Sequence, residues 1–322
     1  VLPAASLSSD TARAKPTAAL ADEPWPDFRG RNRDGRSSEP IRLDWPADGL
    51  PRLWKQPIGL GYASFVVAGG RAFTIEQRRS EEVVAAYDTR TGRELWTSSW
   101  EGEFAESMGG NGPRATPTYH EGRLYALGAL GEFRSLDAET GRLNWRKNIL
   151  DDNGATNLDW GMAASPLIVG DAVVVLPGGR NGKSVVAYNK NTGARLWSAL
   201  DDQQAYTSPM LVTLGGVRQI LVVTATRTLG LTTNGERVLW EYPWSTFSGI
   251  NVAQPVLLDD RRVFLSAGYD HGATLLEIVN DAGRWSVRSL WENNRMKNKF
   301  TSSVLLNGYL YGLDESILAC VE

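Results

Sequence analysis

Cysteine is all but absent. Cys320 is the only one in 322 residues, which excludes an intrachain disulfide and any zinc or iron–sulfur site built on several thiolates. Histidine is nearly as scarce. His120 (in "TYHEGRL") and His271 (in "GYDHGAT") fall in separate turn-like stretches, a placement that suits solvent-facing side chains better than metal ligands. No run of about 18 apolar residues exists, so nothing reads as a membrane-crossing helix. Excess positive charge is missing too: 34 Lys and Arg face 37 Asp and Glu, a net charge of −3. That balance gives no general attraction to nucleic acid or anionic membrane. Catalytic signatures are equally thin. There is no G-x-S-x-G. "GLGYAS" (59–64) is a partial dinucleotide fingerprint without the helix that would bind the phosphate. "DDNG" (151–154) lacks the downstream Glu of a calcium loop and reads as a solvated acidic loop.

What is abundant is glycine (33), proline (15) and above all tryptophan (12). Short segments ending in Trp recur: "TGRELW" at Trp96, "TGRLNW" at Trp145, "NTGARLW" at Trp197, "NGERVLW" at Trp240 and "GRWSVRSLW" at Trp291. Trp54, in "LPRLWKQPIG", has the right following sequence without the turn before it. From Trp54 onward the intervals are 42, 49, 52, 43 and 51 residues, which matches the ~40–50 residues of a four-stranded propeller blade. Each unit divides into four short β-branched runs separated by Gly, Asp and Asn turns. In the third unit these are 163–170, 171–178, 184–193 and 194–200. Asn191, Thr192 and Gly193 form the hairpin into the fourth strand, Gly supplying φ > 0 without steric cost. The indole that follows covers ~150–250 Å² of apolar surface that one blade cannot bury alone. The six tryptophans are therefore expected to clamp blade to blade.

First strands are expected to start near Tyr62, Arg114, Ala163, Tyr206, Val252 and Phe300. The last unit supplies three strands, and "RLWKQPIG" (52–59) is a fourth strand without a unit. Pairing the two would close six blades into a ring without exposed sheet edges. The alternative is part of an eight-bladed propeller. The inner strands begin at the axis, so the residues leading into them ring the channel mouth: Tyr62, Arg114, Met162, Tyr206, Asn251 and Lys299. Two cations, two phenols and an amide there could hold an anionic group or a peptide carboxylate, or simply plug the channel. The Gly-rich loop 106–117 borders the same mouth.

Residues 1–45 form an N-terminal extension to the propeller of residues 46–322. Within it, 1–24 is a small-residue leader with a cleavage-like "ALA" at 19–21. Residues 25–36, "WPDFRGRNRDGR", are a docking segment, with Trp25 and Phe28 against the propeller wall and arginines pairing acidic loops.

"AYDTRTGRELW", "SLDAETGRLNW" and "AYNKNTGARLW" resemble the pyrroloquinoline-quinone-type (PQQ-like) propeller repeat over residues 46–322. "WPDFRGRNRDG" resembles the segment that precedes it in secreted bacterial members. The resemblance implies an all-β propeller exported from a bacterial cytoplasm, periplasmic or secreted. Its scaffold members, in outer-membrane assembly, imply a non-catalytic interaction disc, with other envelope proteins as partners and no cofactor. Its quinoprotein members imply the alternative: an oxidoreductase holding PQQ with calcium. The adjacent-cysteine disulfide of many such enzymes cannot form here, and no catalytic or metal-binding residues match that site. A small anionic ligand or glycan at the mouth is a third reading.

Overall fold

The computed structural model describes residues 24–41 and 43–322. The expected leader falls, but for its last residue, outside the described residues. What is described is an all-β propeller of six antiparallel sheets. The first sheet is β1 (Val66–Ala68), β2 (Arg71–Arg78), β3 (Glu81–Asp88) and β4 (Glu94–Glu101). The second is β5 (Thr118–His120), β6 (Arg123–Leu127), β7 (Glu132–Asp137) and β8 (Leu143–Asn148). The third is β9 (Leu167–Val169), β10 (Ala172–Val175), β11 (Val185–Asn189) and β12 (Arg195–Ala199). The fourth is β13 (Met210–Leu214), β14 (Val217–Val223), β15 (Arg227–Thr232) and β16 (Val238–Pro243). The fifth is β17 (Val256–Leu257), β18 (Arg262–Ala267), β19 (Gly272–Asp281) and β20 (Arg284–Asn293). The sixth has three strands only: β21 (Val304–Leu306), β22 (Tyr309–Asp314) and β23 (Ile317–Val321).

Every first strand starts four residues later than the sequence pattern places it, at 66, 118, 167, 210, 256 and 304. Proline is the reason in four of them: Pro117, Pro166, Pro209 and Pro255 stand just before the strand and have no N–H for a ladder. Ahead of these prolines, polar side chains link neighbouring sheets at the axis. Ser64 N–H donates to Thr116 Oγ1 (3.0 Å), Ser165 N–H to Ser208 Oγ (2.9 Å) and Gln254 N–H to Ser302 Oγ (2.9 Å).

The core lies between the sheets. Phe73, Val84, Leu124 and Leu136 join the first and second; Tyr125, Phe133, Val173 and Val186 join the second and third. Each such side chain contributes about 1.5–3 kcal/mol on burial. Hairpins of one design aim the tryptophans. Asp88 Oδ1 accepts from the N–H groups of Arg90 and Thr91 and from the Thr91 hydroxyl; Asp137 and Asn189 repeat the arrangement with Thr140 and Thr192. A glycine at positive φ follows each threonine: Gly92, Gly141 and Gly193. The indole of the preceding sheet lies on that glycine. Trp96 covers Gly141 and donates to Ala138 O (3.3 Å); Trp145 covers Gly193 and donates to Lys190 O (3.0 Å); Trp197 covers Gly235.

Trp240 departs from the expected clamp. Its indole covers Gly230 of its own sheet and donates to Gln219 Oε1 at 2.6 Å. The next sheet turns at Asp281–Arg284, and no indole lies on its Gly283. Trp240 is nonetheless buried in the cluster joining the fourth and fifth sheets. Trp291 packs near Phe264 between the fifth and sixth.

The pairing of residues 52–59 with the sixth sheet is not made. Among the described residues this stretch carries no strand. Its far end is drawn to the first sheet instead, where Leu60 bridges Gln77 and Gly59 N–H donates to the Glu76 carboxylate. Trp54 covers Gly92 and donates to Thr89 O (2.9 Å).

Candidate functional site

Antiparallel order puts the loops joining one sheet to the next on the face where the inner strands begin. That face carries the mouth. Arg114 is its best-built residue. Its guanidinium donates to Gly112 O (2.6 Å) and Gly110 O (2.7 Å), pinning the glycine-rich lip, and lies over the rings of Tyr62 and Phe104 at 5.3 and 5.0 Å. Burial lowers its pKa from the ordinary guanidinium value, against the pull of Glu106. Glu106 organises the lip from within, accepting from the N–H groups of Met108 and Gly109.

Tyr206 packs edge-on against Trp160 at 5.8 Å, and burial raises its hydroxyl to about 12, so it stays a hydrogen-bond donor at neutral pH. Lys299 completes the set from the sixth sheet, its ammonium lying 4.9 Å from the Tyr269 ring and 5.6 Å from Phe300. Neither Arg114 nor Lys299 forms an ion pair within 4 Å of a carboxylate among the described residues.

Two expected members are elsewhere. Met162 is buried in the core between the second and third sheets. Asn251 is also buried, donating to Thr224 O (2.8 Å) and Trp244 O (3.3 Å), while its backbone carbonyl receives Tyr206 N–H. The cause is the twofold alternation of extended chain. Counted back from Ser64, Thr116, Ser165, Ser208, Gln254 and Ser302, the second residue in each lead-in is Tyr62, Arg114, Ala163, Tyr206, Val252 or Phe300, and none of these is buried. Met162 and Asn251 sit one position earlier and point into the sheets. Lys299 shares their position, yet its long stem returns the ammonium to the surface. Tyr269 and Trp160 were missed because no repeat position marks them; Phe300 holds the repeat position but was passed over for Lys299 beside it.

Residues 25–36 pack against the inner strands, with their arginines reaching the starts of those strands. Trp25 bridges Val67 of β1, and Tyr119 N–H donates to Pro26 O. Arg33 enters the axis and is 2% exposed. It pairs with Asp27 through two hydrogen bonds (2.7 and 3.0 Å) and donates to Ser165 O (3.2 Å), Pro209 O (2.6 Å) and Pro166 O. Arg29 donates to Ser303 O (3.0 Å) beside β21. Arg29 and Arg33 thus bind mainly backbone carbonyls rather than the acidic loops expected for them, because carbonyls are what the converging strand starts present. Clefts of about 820 and 890 Å³ flank this plug.

Comparison with known proteins adds the ancestry. A family model described as "Outer membrane protein assembly factor BamB" matches residues 80–322. The chain belongs to the BamB family. An outer membrane protein assembly factor BamB of Burkholderia pseudomallei (strain K96243) is 24% identical over 264 residues. The match takes in 77% of this chain and 59% of that relative's length. BamB from Moraxella catarrhalis superposes with a TM-score of 0.50 at 14% identity, over 81% of this chain and 83% of that one. A quinohemoprotein alcohol dehydrogenase from Comamonas testosteroni does so with a TM-score of 0.52 at 15% identity, over 94% and 49%. At those identities the superpositions establish the propeller fold alone. The quinoprotein likeness poses a question of donors. Among the described residues of this BamB-family chain, no three His, Cys, Asp or Glu side chains stand together where they could hold a metal ion. Among those residues, the calcium that such a quinone site uses has no matching carboxylate set. No helix among the described residues is long and apolar enough to cross a membrane.

Proposed function

We propose that this chain is a non-catalytic, extracytoplasmic scaffold, a bacterial periplasmic or secreted disc that holds other envelope proteins as an accessory subunit of a larger complex. One observation carries the reading. Large apolar side chains stand out on the loop face around the mouth: Tyr62, Met108, Phe247 and Phe300 are all more than 60% exposed. Ile41, Leu43, Leu53, Ile317 and Leu318 are also more than 60% exposed; the four at the mouth stand with Arg114 and Lys299, a mix of apolar and cationic groups that suits a protein partner. The family match and the relatives' printed role in outer membrane assembly support it. The test is affinity capture from a bacterial envelope fraction with the wild-type chain and with M108E/F300E, and L196E on β12 as the control. The reading predicts a defined partner lost only with the double variant; equal capture by all three, or none, overturns it.

A second reading rests on Arg114 and Lys299, two mouth cations without a carboxylate ion pair among the described residues. Titration with citrate and with a short acidic peptide, followed by calorimetry, tests it, and R114A/K299A should abolish any heat. For the quinone alternative, adding PQQ with calcium should leave the quinone absorbance unchanged; a shifted spectrum would revive it.

A further inference from the structure

We propose that the cleft of about 890 Å³ beside residues 26–34 takes an extended acidic peptide of a partner protein, which adds as a strand to the inner edge of β13. Open main-chain groups point to it. In an antiparallel hairpin, residue pairs that share ladder hydrogen bonds alternate with pairs that do not. Val67 opposite Ala72 is of the second kind, so its N–H and C=O turn away from β2. They meet Trp25 O (2.8 Å) and Trp25 N–H (2.9 Å). Tyr119 opposite Leu124 repeats the geometry, its N–H donating to Pro26 O (2.7 Å). The same register recurs at Ile168 opposite Val173, Leu211 opposite Ile220 and Leu257 opposite Val263. β13 is the longest inner strand, and Thr213 opposite Arg218 gives it a second such position. Among the described residues no acceptor is found for the N–H groups of Ile168, Leu211, Thr213 or Leu257, and all four residues line the cleft. Trp25 and Pro26 show what suits these positions: extended main chain.

Side chains set the chemistry. Ile168, Leu211 and Leu257 are half-buried and leave aliphatic surface in the cleft. Arg31 and Arg218 stand in its wall, both exposed, and neither guanidinium is in an ion pair or hydrogen bond among the described residues. Carboxylates of the same wall are engaged. Asp27 pairs with Arg33 (2.7 Å), Glu121 with Lys190 (3.3 Å) and Asp171 with Lys190 (3.9 Å), while Asp34 accepts from Arg36 N–H (3.1 Å). What stays unmatched is two cations, an aliphatic floor and a row of backbone donors. An acyl anion would satisfy the first two and leave the donors open. A peptide alternating aliphatic and acidic residues satisfies all three, because successive side chains of a strand point to opposite sides and its main chain completes the ladder.

The probe is an end-labelled peptide, Asp-Leu-Asp-Leu-Asp, titrated with the whole chain and followed by fluorescence anisotropy. The wild-type chain should bind it saturably. R31E/R218E should weaken binding about tenfold or more with an unchanged melting temperature. Backbone N-methylation distinguishes strand addition from charge attraction, since alternate N–H groups of a strand face the same side. Methylating the leucines in one peptide and the aspartates in another should cost about tenfold in one of the two and little in the other. No saturable binding, equal binding by R31E/R218E, or equal behaviour of the two methylated peptides would overturn the proposal. Displacement of the peptide by dodecanoate would overturn it as well, since an acyl anion would then suffice. M108E/F300E should bind the peptide as the wild type does, which keeps this test apart from the scaffold reading at the mouth; loss of binding in that variant would place the peptide there and overturn the assignment to β13.

Discussion

Gly141→Ala isolates the contact on which the fold depends. Gly141 has φ +73°, and a methyl group there would lie 2.5 Å from Cε3 and 2.8 Å from Cδ2 of Trp96. Two costs add. An L-residue in the left-handed region loses about 1–2 kcal/mol. Forcing the indole off its seat costs about 1–3 kcal/mol more, the usual range for overpacking. Gly170→Ala separates them, because Gly170 has φ +59° with no atom within 4 Å of the added methyl. It should lose only the backbone part. Urea unfolding should therefore place G141A about 1–3 kcal/mol below G170A. A melting-temperature gap of about 2–4 °C per kcal/mol should accompany it, the scale for chains of 150–250 residues. A double-mutant cycle completes the argument: in Trp96→Ala the ring is gone, and G141A should then cost no more than G170A. If G141A and G170A are equal in the wild-type background, the indole is not seated on the turn and the clamp is wrong.

Other outcomes follow from single contacts. Arg33→Met leaves the Asp27 carboxylate and three carbonyls buried without their cation. It should cost about 3–5 kcal/mol and make the N-terminal segment more sensitive to limited proteolysis; an unchanged melt would remove the plug's structural role. Gln219→Leu strands the buried Trp240 indole N–H and should cost about 1–3 kcal/mol, with a shifted tryptophan emission as the check. Both histidines have pKa values lowered by burial, so protonation is less favourable in the folded chain. Stability present above about pH 6.5 should then fall as pH drops through the folded values. His120→Gln should flatten that contribution in urea melts between pH 7.5 and 5.5; a pH dependence identical to wild type would refute the assignment.

Periodicity made most of the fold legible. Turn-plus-Trp spacing located the sheets because that turn and that ring are one device, repeated wherever a glycine at positive φ receives an indole. Prolines in the lead-ins shortened the inner strands, and they too were readable in the sequence. The turn of Trp240 onto its own sheet was not legible, since "NDAGR" offers a glycine at positive φ much as the seat of Trp197 does. The mouth was half legible for a geometric reason. Alternation decides which lead-in side chain faces the axis, and a one-residue slip in the alignment substituted Met162 and Asn251 for Ala163 and Val252. Arg33 was beyond reach, because its acceptors are the carbonyls of Ser165, Pro166 and Pro209. A carbonyl carries no residue signature, so no pattern announces a side chain that reads backbone.

The same logic separates what this sequence says about fold from what it says about function. Repeated positions are constrained by packing against the neighbouring sheet, and they specify a wheel whatever the wheel does. Specificity has to reside where the repeat breaks. The breaks are the connections between sheets: the lip from Glu106 to Arg114, the stretch around Phe247 and the approach to Phe300. Their lengths differ from sheet to sheet, and they hold the exposed Met108, Phe247 and Phe300 that no blade interface uses. Leaving such side chains in water lowers solubility without stabilising the fold. A partner covering that face, as proposed above, would account for them, and charge substitutions there should disturb binding while leaving the unfolding free energy within about 0.5 kcal/mol of wild type.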